Sequence, residues 1–322
     1  MEGRIIYTLC GNCGFRDQFS FPVSSFQSLV VPNFPTRSGF YLLVDPASIA
    51  NSLALALYAV ATVLLFVRLI KSLATQSSLP NLVIVAALIA HGIGAYGAIA
   101  ADNGFRFGFF IIPTLIFWVI NVLVLVSGLR KPLHNLFLFL LPLSLVAILS
   151  SMLADSDVSR IESGLAGHII LSLVAYSLLT IATLQAILLA YLNRQLKAKH
   201  ATGLVRVLPP LQTMDVLMFE LIWAGQIVLT LAIVTGAFFV EDLFAQRLSH
   251  HAVISVIAWV IYAILLWGHH QWGWRGKTAV RWALGGFTCL ILAYFGTKFV
   301  YEVIRDETIA QTYNSDLTIK IA

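Results

Sequence analysis

The sequence predicts an all-α fold, a polytopic integral membrane bundle of about eight transmembrane helices. Hydrophobic residues make up 59% of the 322 residues and charged residues only 11%. Soluble domains carry about 25% charged residues. A soluble core of this length could not hide so much apolar surface from water. Membrane-spanning helices satisfy their own backbone hydrogen bonds, so this composition favours them.

Eight apolar segments are each long enough to cross the hydrocarbon layer, which takes roughly 20 residues of helix. The fifth and sixth are long enough to tilt or to protrude from the bilayer. No internal repeat is evident. The segments cover residues 49–67, 81–101, 109–128, 135–153, 165–192, 216–240, 252–269 and 279–302.

The loops between these segments alternate in charge, which predicts the orientation of the chain. One set of loops holds eleven Lys and Arg residues and the alternate short loops hold three. Cytoplasmic loops carry the excess of Lys and Arg. We therefore expect the basic loops in the cytoplasm and both termini outside it. The eleven are Arg68, Lys71, Arg130, Lys131, Arg194, Lys197, Lys199, Arg206, Arg275, Lys277 and Arg281.

The two ends of the chain are expected to lie outside the membrane domain, which covers residues 47–304. Residues 1–46 are expected to form an extracytoplasmic N-terminal segment, for which disorder is one expectation, and residues 305–322 a polar C-terminal tail. The N-terminal segment holds a single CxxC pair, Cys10 and Cys13. A zinc site needs about four ligands, so a disulfide or an incidental pair is favoured there.

Intramembrane histidines are the best candidates for chemistry, because polar groups inside a bilayer are costly and tend to be functional. His251 and His269 are 18 residues apart, five whole helical turns, so they share one face about 27 Å apart along the axis. Ser255 and Tyr262 lie near the same stripe. A second polar stripe begins at His168 in the fifth segment and continues as Ser172, Tyr176 and Thr183.

The second segment places His91 near mid-membrane, beside three glycines that allow close approach of a backbone or a flat cofactor. Two histidine levels result, with His168 and His251 outside, and His91 and His269 deeper. Pairs of neutral imidazoles suit haem iron. The alternatives are hydrogen bonds between helices, or a proton relay in which Glu220 is the main carboxylate. Zinc is disfavoured because no carboxylate or thiolate joins the histidines.

Three stretches resemble the cytochrome c assembly (CcsA/CcmC-like) membrane family, and most closely its YpjD/HemX-type subgroup. They are "GHIILSLVAYSLLTIATLQAILLAYLNRQLK" (167–197), "LPPLQTMDVLMFELIWAGQIVLTLAIVTGAFF" (208–239) and "AWVIYAILLWGHHQWGWRGKTAVRWALGGFTCLILAYFG" (258–296). The resemblance covers roughly residues 50–304. Haem-delivering members carry a tryptophan-rich outer loop where this chain has only "VEDLFAQRLSH". A further outer histidine after the last helix is also missing, since residues 301–322 contain no histidine.

The resemblance implies haem handling in a bacterial inner membrane, with His168 and His269 as ligands of haem b iron and with His91 and His251 as further cofactor-binding residues. No hydrolase or ATPase motif and no nucleic-acid-binding pattern is present. We expect a non-catalytic accessory of cytochrome c assembly or haem metabolism, whose partners are haem, lipid and another membrane protein of that metabolism. The alternative expectation is a membrane carrier for protons or small ligands. A third is a structural partner of another membrane complex.

Overall fold

The computed structural model describes residues 46–71, 79–101, 104–106, 110–129, 131, 133–153, 158–159, 163–198, 208–239 and 246–296. The N-terminal segment up to residue 45, including Cys10 and Cys13, lies outside the described residues. So does the polar tail, 305–322, and so does Lys298 in the eighth predicted segment.

Eight α-helices are present in the described part of the chain. Helix α4 is preceded by a 3₁₀ turn, His134–Leu136, and α8 continues into a π-helical turn, Leu292–Gly296. The helices are α1 (Pro46–Lys71), α2 (Leu79–Ile99), α3 (Ile111–Gly128), α4 (Phe137–Leu153), α5 (Ser163–Lys197), α6 (Leu211–Phe239), α7 (Gln246–Trp272) and α8 (Lys277–Ile291).

The first seven helices are long and apolar enough to cross a membrane, which confirms the predicted polytopic helical bundle. Helix α8 begins two residues before the eighth predicted segment, and residues 297–302 of that segment lie outside the described residues. Three short strands form an antiparallel sheet in the order β1 (Ala100–Ala101), β2 (Gly104–Arg106) and β3 (Val158–Ser159). This sheet links the chain after α2 to the chain after α4, and hydropathy gave no sign of it.

The seam between α1 and α2 is built on small residues. A Cβ at Gly94 would fall 1.9 Å from Asn51 Oδ1, and one at Gly97 would fall 2.5 Å from the Cβ of Ala47. Small side chains let two membrane helices approach closely. Helix α1 also packs on α4, and α2 packs on α3.

The second half of the bundle is organised around α5, which packs most extensively on α6 and also on α8 and α3. Its polar stripe faces the stripe of α7. The hydroxyl of Tyr176 lies within hydrogen-bond reach of Ser255, and that of Tyr262 lies within reach of Thr183. Both pairs are offset by 79 residues, so α5 and α7 run parallel. Neighbouring hydrogen bonds run from Tyr176 to the Leu290 carbonyl and from Tyr262 to the Ala283 carbonyl, both in α8.

Candidate ligand-binding histidines

His269 is half-buried at the end of α7 and is held on two sides. Its Nδ1 atom lies 2.9 Å from the backbone carbonyl oxygen of Trp274. Its ring stacks on Phe219 of α6, with the ring centroids 3.5 Å apart and the planes 18° from parallel. The imidazole therefore has a fixed position and a fixed plane.

The hydrogen bond to Trp274 also sets the tautomer of the neutral ring. A carbonyl oxygen can only accept, so Nδ1 must carry the proton and donate it. In a neutral imidazole Nε2 then keeps its lone pair. Backbone carbonyls orient metal-ligating histidines in this way. Nε2 is thus the nitrogen of His269 that has a lone pair to offer a metal.

His168 repeats this arrangement near the start of α5. Its Nδ1 lies 2.8 Å from the carbonyl oxygen of Ala232 on α6, and the side chain is half-buried. The ring rests on Gly236, where a Cβ would lie only 2.8 Å from its Cε1 atom. The absent side chain of Gly236 therefore makes room for the imidazole. Its Nε2 keeps a lone pair for the same reason as in His269.

The two histidines lie far apart along the membrane normal. With the α5–α7 offset of 79 residues, His168 is level with position 247 of α7. His269 is 22 residues further on, and the helical rise of about 1.5 Å per residue makes the separation about 33 Å. The two imidazoles are therefore too far apart to bind one metal ion together.

His91 has a different environment, sealed between α1 and α2. Its side chain is 0% exposed, and its Nδ1 lies 3.0 Å from the hydroxyl of Tyr58, which is also 0% exposed. A phenol can donate or accept, so this contact does not fix the tautomer. Its Nε2 is buried without a hydrogen-bond partner. The closed seam leaves no open face at this ring for a porphyrin.

The remaining described histidines differ in exposure. His270 is exposed, in keeping with an interfacial position. His134 is half-buried: it packs on Phe137 and under Gly128, where a Cβ would lie 2.8 Å from its ring. The backbones of His250 and His251 lie in the first turns of α7, and their side chains are outside the described part of the structure.

The donor set suits a metal that brings most of its own ligands. Among the described residues, no group of three or more His, Cys, Asp or Glu side chains converges to hold a bare metal ion. A porphyrin supplies four nitrogens to its iron and needs only axial ligands from the protein. Single imidazoles with Nδ1 donated to a carbonyl fit that need at His168 and at His269.

Several residues that build the His269 environment were not predicted from the sequence. In the sequence, Phe219 is one of many apolar residues, and no pattern marks it. Asp215, which lies 3.8 Å from the Nε of Arg275, precedes the sixth apolar segment. Trp274 folds back onto Gly268 of α7, whereas Trp267 and Trp272 are exposed.

Seven spanning helices and histidines presented from two of them define a multi-pass membrane protein with candidate axial-ligand imidazoles. The family follows from the sequence, because the model of the family described as Cytochrome C assembly protein matches residues 49–305. The chain belongs to this cytochrome c assembly protein family.

The chain is also similar to individual proteins. The inner membrane protein YpjD of Escherichia coli K12 is 31% identical over 257 residues, which is 78% of this chain and 97% of YpjD. An uncharacterised 28.8 kDa protein of Azospirillum brasilense is 34% identical over 139 residues, 42% of this chain and 51% of that protein. The cytochrome c biogenesis protein CcsA of Prochlorococcus marinus MIT 9515 is 28% identical over 91 residues, 28% of this chain and 29% of CcsA. No solved structure matches the chain significantly.

Proposed function

We propose that this protein binds haem in a bacterial inner membrane, as a non-catalytic accessory of cytochrome c assembly or haem metabolism. His168 and His269 are the iron ligands, and haem b is the expected form. The observation that carries the proposal is the shared geometry of these two side chains. Each donates Nδ1–H to a backbone carbonyl of another segment and keeps the Nε2 lone pair for a metal. Membership of the cytochrome c assembly family supports haem as the group that supplies the metal.

The 33 Å separation favours two haem sites, one toward each face of the membrane. With both termini outside the cytoplasm, His168 belongs to the outer site and His269 to the inner one. Arg275, Lys277 and Arg281 follow His269 in the chain and favour haem propionates at the inner site, although the positive-inside bias alone also accounts for them. His251 stays a proposed contributor to the outer site.

His91 is left out of the proposed ligand set, because its ring is enclosed in the α1–α2 seam and its Nδ1 is engaged by Tyr58. In this proposal His91 stabilises the helix pair. The absent tryptophan-rich outer loop argues against delivery of haem to an apocytochrome, so haem held as a cofactor or a signal is favoured over haem as cargo.

The test is the absorbance of the full-length protein purified from a haem-replete host. We expect a Soret band that falls by about half in His168→Ala and in His269→Ala and disappears in the double variant. His270→Ala is the matched control, because it removes the exposed neighbour of His269 and should leave the band intact. His91→Ala should also keep the band. A wild-type protein that is colourless and does not take up added haem would overturn the proposal.

A carrier of protons or small ligands is the second candidate. The unpartnered, fully buried Nε2 of His91 is the observation that favours it, because an unsatisfied polar atom in a membrane core is costly and calls for an explanation. Reconstituted vesicles distinguish the two functions. Proton flux that depends on His91, in a protein that ignores haem, would favour the carrier.

A further inference from the structure

The turn between α7 and α8 brings both backbone groups of Trp274 back to the end of α7. The Trp274 N–H donates to the Gly268 carbonyl at 3.1 Å, and the Trp274 carbonyl accepts from His269 Nδ1 at 2.9 Å. Gly273 and Gly276 have φ values of 63° and 58°. Glycine adopts this left-handed region without the steric cost that other residues meet. The two glycines therefore let the chain reverse within four residues.

The indole of Trp274 is held in a notch at Gly268. A Cβ at Gly268 would lie 2.3 Å from the indole ring, so this position has room only for glycine. The indole stacks on Trp282 of α8, with ring centroids 5.5 Å apart, and tilts against Trp272 at 5.4 Å. The location of the Trp274 carbonyl thus depends on the missing side chain of Gly268.

Helix α6 closes the opposite side of the same unit. Phe219 covers one face of the His269 ring. One turn earlier, Asp215 faces Arg275, the residue that follows Trp274, and Asp215 itself is only 13% exposed. Helix α6 therefore contacts both the imidazole and the turn that supplies its hydrogen-bond acceptor.

We propose that Gly268 and Trp274 lock His269 in its Nδ1–H tautomer, with Nε2 aimed away from the turn. Phe219 fixes the plane of the ring in this clamp, and Asp215 secures it through Arg275. These are positioning residues, since they act through His269. The ligand class of Nε2 is a metal with a vacant axial position. Naming that metal as haem iron rests on the proposed function, whereas the locked tautomer does not.

The clamp has two consequences for a bound metal. A backbone acceptor on Nδ1 raises the basicity of the ligating nitrogen, and loss of such an outer partner typically weakens metal binding by about 10–100-fold. The face-to-face contact with Phe219 also fixes the direction of the imidazole plane, to which the electron paramagnetic resonance spectrum of a bound ferric ion is sensitive.

The tautomer is measured first in the haem-free protein, by ¹⁵N nuclear magnetic resonance of selectively labelled histidine, with His269→Gln used for assignment. In the neutral form of the ring, we expect the proton on Nδ1. In Gly268→Ala, the new Cβ displaces Trp274, so we expect the proton to distribute over both nitrogens. The matched control is Gly285→Ala in α8, where a Cβ would meet nothing within 4 Å. It should leave the tautomer unchanged.

The second measurement uses haem added back to the same variants. Gly268→Ala should bind haem at the inner site about 10–100-fold more weakly. Phe219→Leu should keep the Nδ1–H tautomer and alter the paramagnetic resonance spectrum of the ferric form. Asp215→Asn should shift the proton from Nδ1 toward Nε2 in the same direction as Gly268→Ala, but to a smaller extent.

Either of two results would overturn the clamp: a wild-type His269 with its proton on Nε2, or a Gly268→Ala variant whose tautomer and haem affinity match the wild type. The first decides the matter even if Gly268→Ala fails to fold. A locked tautomer in a protein that ignores haem supports the clamp and refutes the haem function. Haem binding by a protein whose His269 has no fixed tautomer refutes the clamp and supports the haem function.

Discussion

The α1–α2 seam and the α7–α8 turn each hold a histidine, and they do so in opposite ways. In the α1–α2 seam, His91 is completely enclosed and meets a phenol, Tyr58. At the α7–α8 turn, His269 is half-buried and meets a backbone carbonyl. The carbonyl fixes the tautomer of His269 and leaves a lone pair on its Nε2. The phenol does not fix the tautomer of His91. The partner of Nδ1, more than burial itself, therefore distinguishes a histidine with a fixed tautomer from one whose contact joins two helices.

The same contrast extends to the glycines around each ring. Gly268 and Gly236 make room for side chains, the indole of Trp274 and the imidazole of His168. Gly94 and Gly97 instead make room for a whole helix, because the neighbours they admit belong to the close-packed α1. A substitution in the α1–α2 seam should therefore lower stability. A substitution beside His168 or His269 should instead weaken ligand binding.

The largest effect on stability is expected for Gly94→Ala. The added Cβ would lie 1.9 Å from Oδ1 and 2.6 Å from Cγ of Asn51, which is itself buried. Overpacking of this kind costs about 1–3 kcal/mol. Denaturant unfolding in detergent measures the loss, and Gly285→Ala, with open space around it, should unfold like the wild type.

A rescue makes that prediction sharper. Asn51→Ala removes the atoms that the new Cβ would meet, so the double variant with Gly94→Ala should recover most of the lost stability. If Gly94→Ala is as stable as the wild type, the α1–α2 seam is looser than its geometry indicates. His91 would then also be less tightly enclosed.

A smaller loss is expected for Tyr58→Phe. This change keeps the ring in place and removes the partner of His91 Nδ1, which would leave both imidazole nitrogens buried without a hydrogen bond. The free energy of unfolding should fall by about 1 kcal/mol, because a hydrogen bond between two membrane helices contributes about that much or less.

Tyr96→Phe is the matched control for this change, because its side chain lies on α2 with 73% of its surface exposed. It should be neutral in the same unfolding measurement. Equal effects of the two substitutions would mean that the Tyr58–His91 contact adds nothing specific to the seam.

The helices could be predicted from the sequence because long apolar runs have few alternatives in a membrane. The sixth segment was expected from residue 216 and α6 begins at Leu211, and α7 extends beyond the expected 252–269 at both ends. The ends were misplaced because polar residues such as Asp215 and Gln246 lower the local hydropathy without breaking the helix. The eighth helix begins close to its expected start.

The hydrogen-bond partners of the histidines were beyond reach of sequence reasoning. Spacing placed His168 and His269 on polar stripes, but their acceptors are backbone carbonyls, which every residue carries and no pattern marks. The Trp274 carbonyl reaches His269 only because Gly273 and Gly276 reverse the chain. The pairing of Tyr58 with His91 depends on how α1 and α2 pack, which side-chain periodicity alone does not determine.

The smallest effect is expected for Glu220, the carboxylate that sequence reasoning singled out for a proton relay. In the structure it forms an ion pair with Lys131, and both side chains are nearly half exposed, at 48% and 43%. Exposed pairs contribute about 0–1 kcal/mol and lose most of that at high salt. Glu220→Gln should therefore lower the unfolding free energy by less than about 1 kcal/mol at low ionic strength. Lys131→Gln should match it, and the double variant should add nothing further. A large loss that persists in 1 M salt would mean that Glu220 is desolvated, as a relay carboxylate would be.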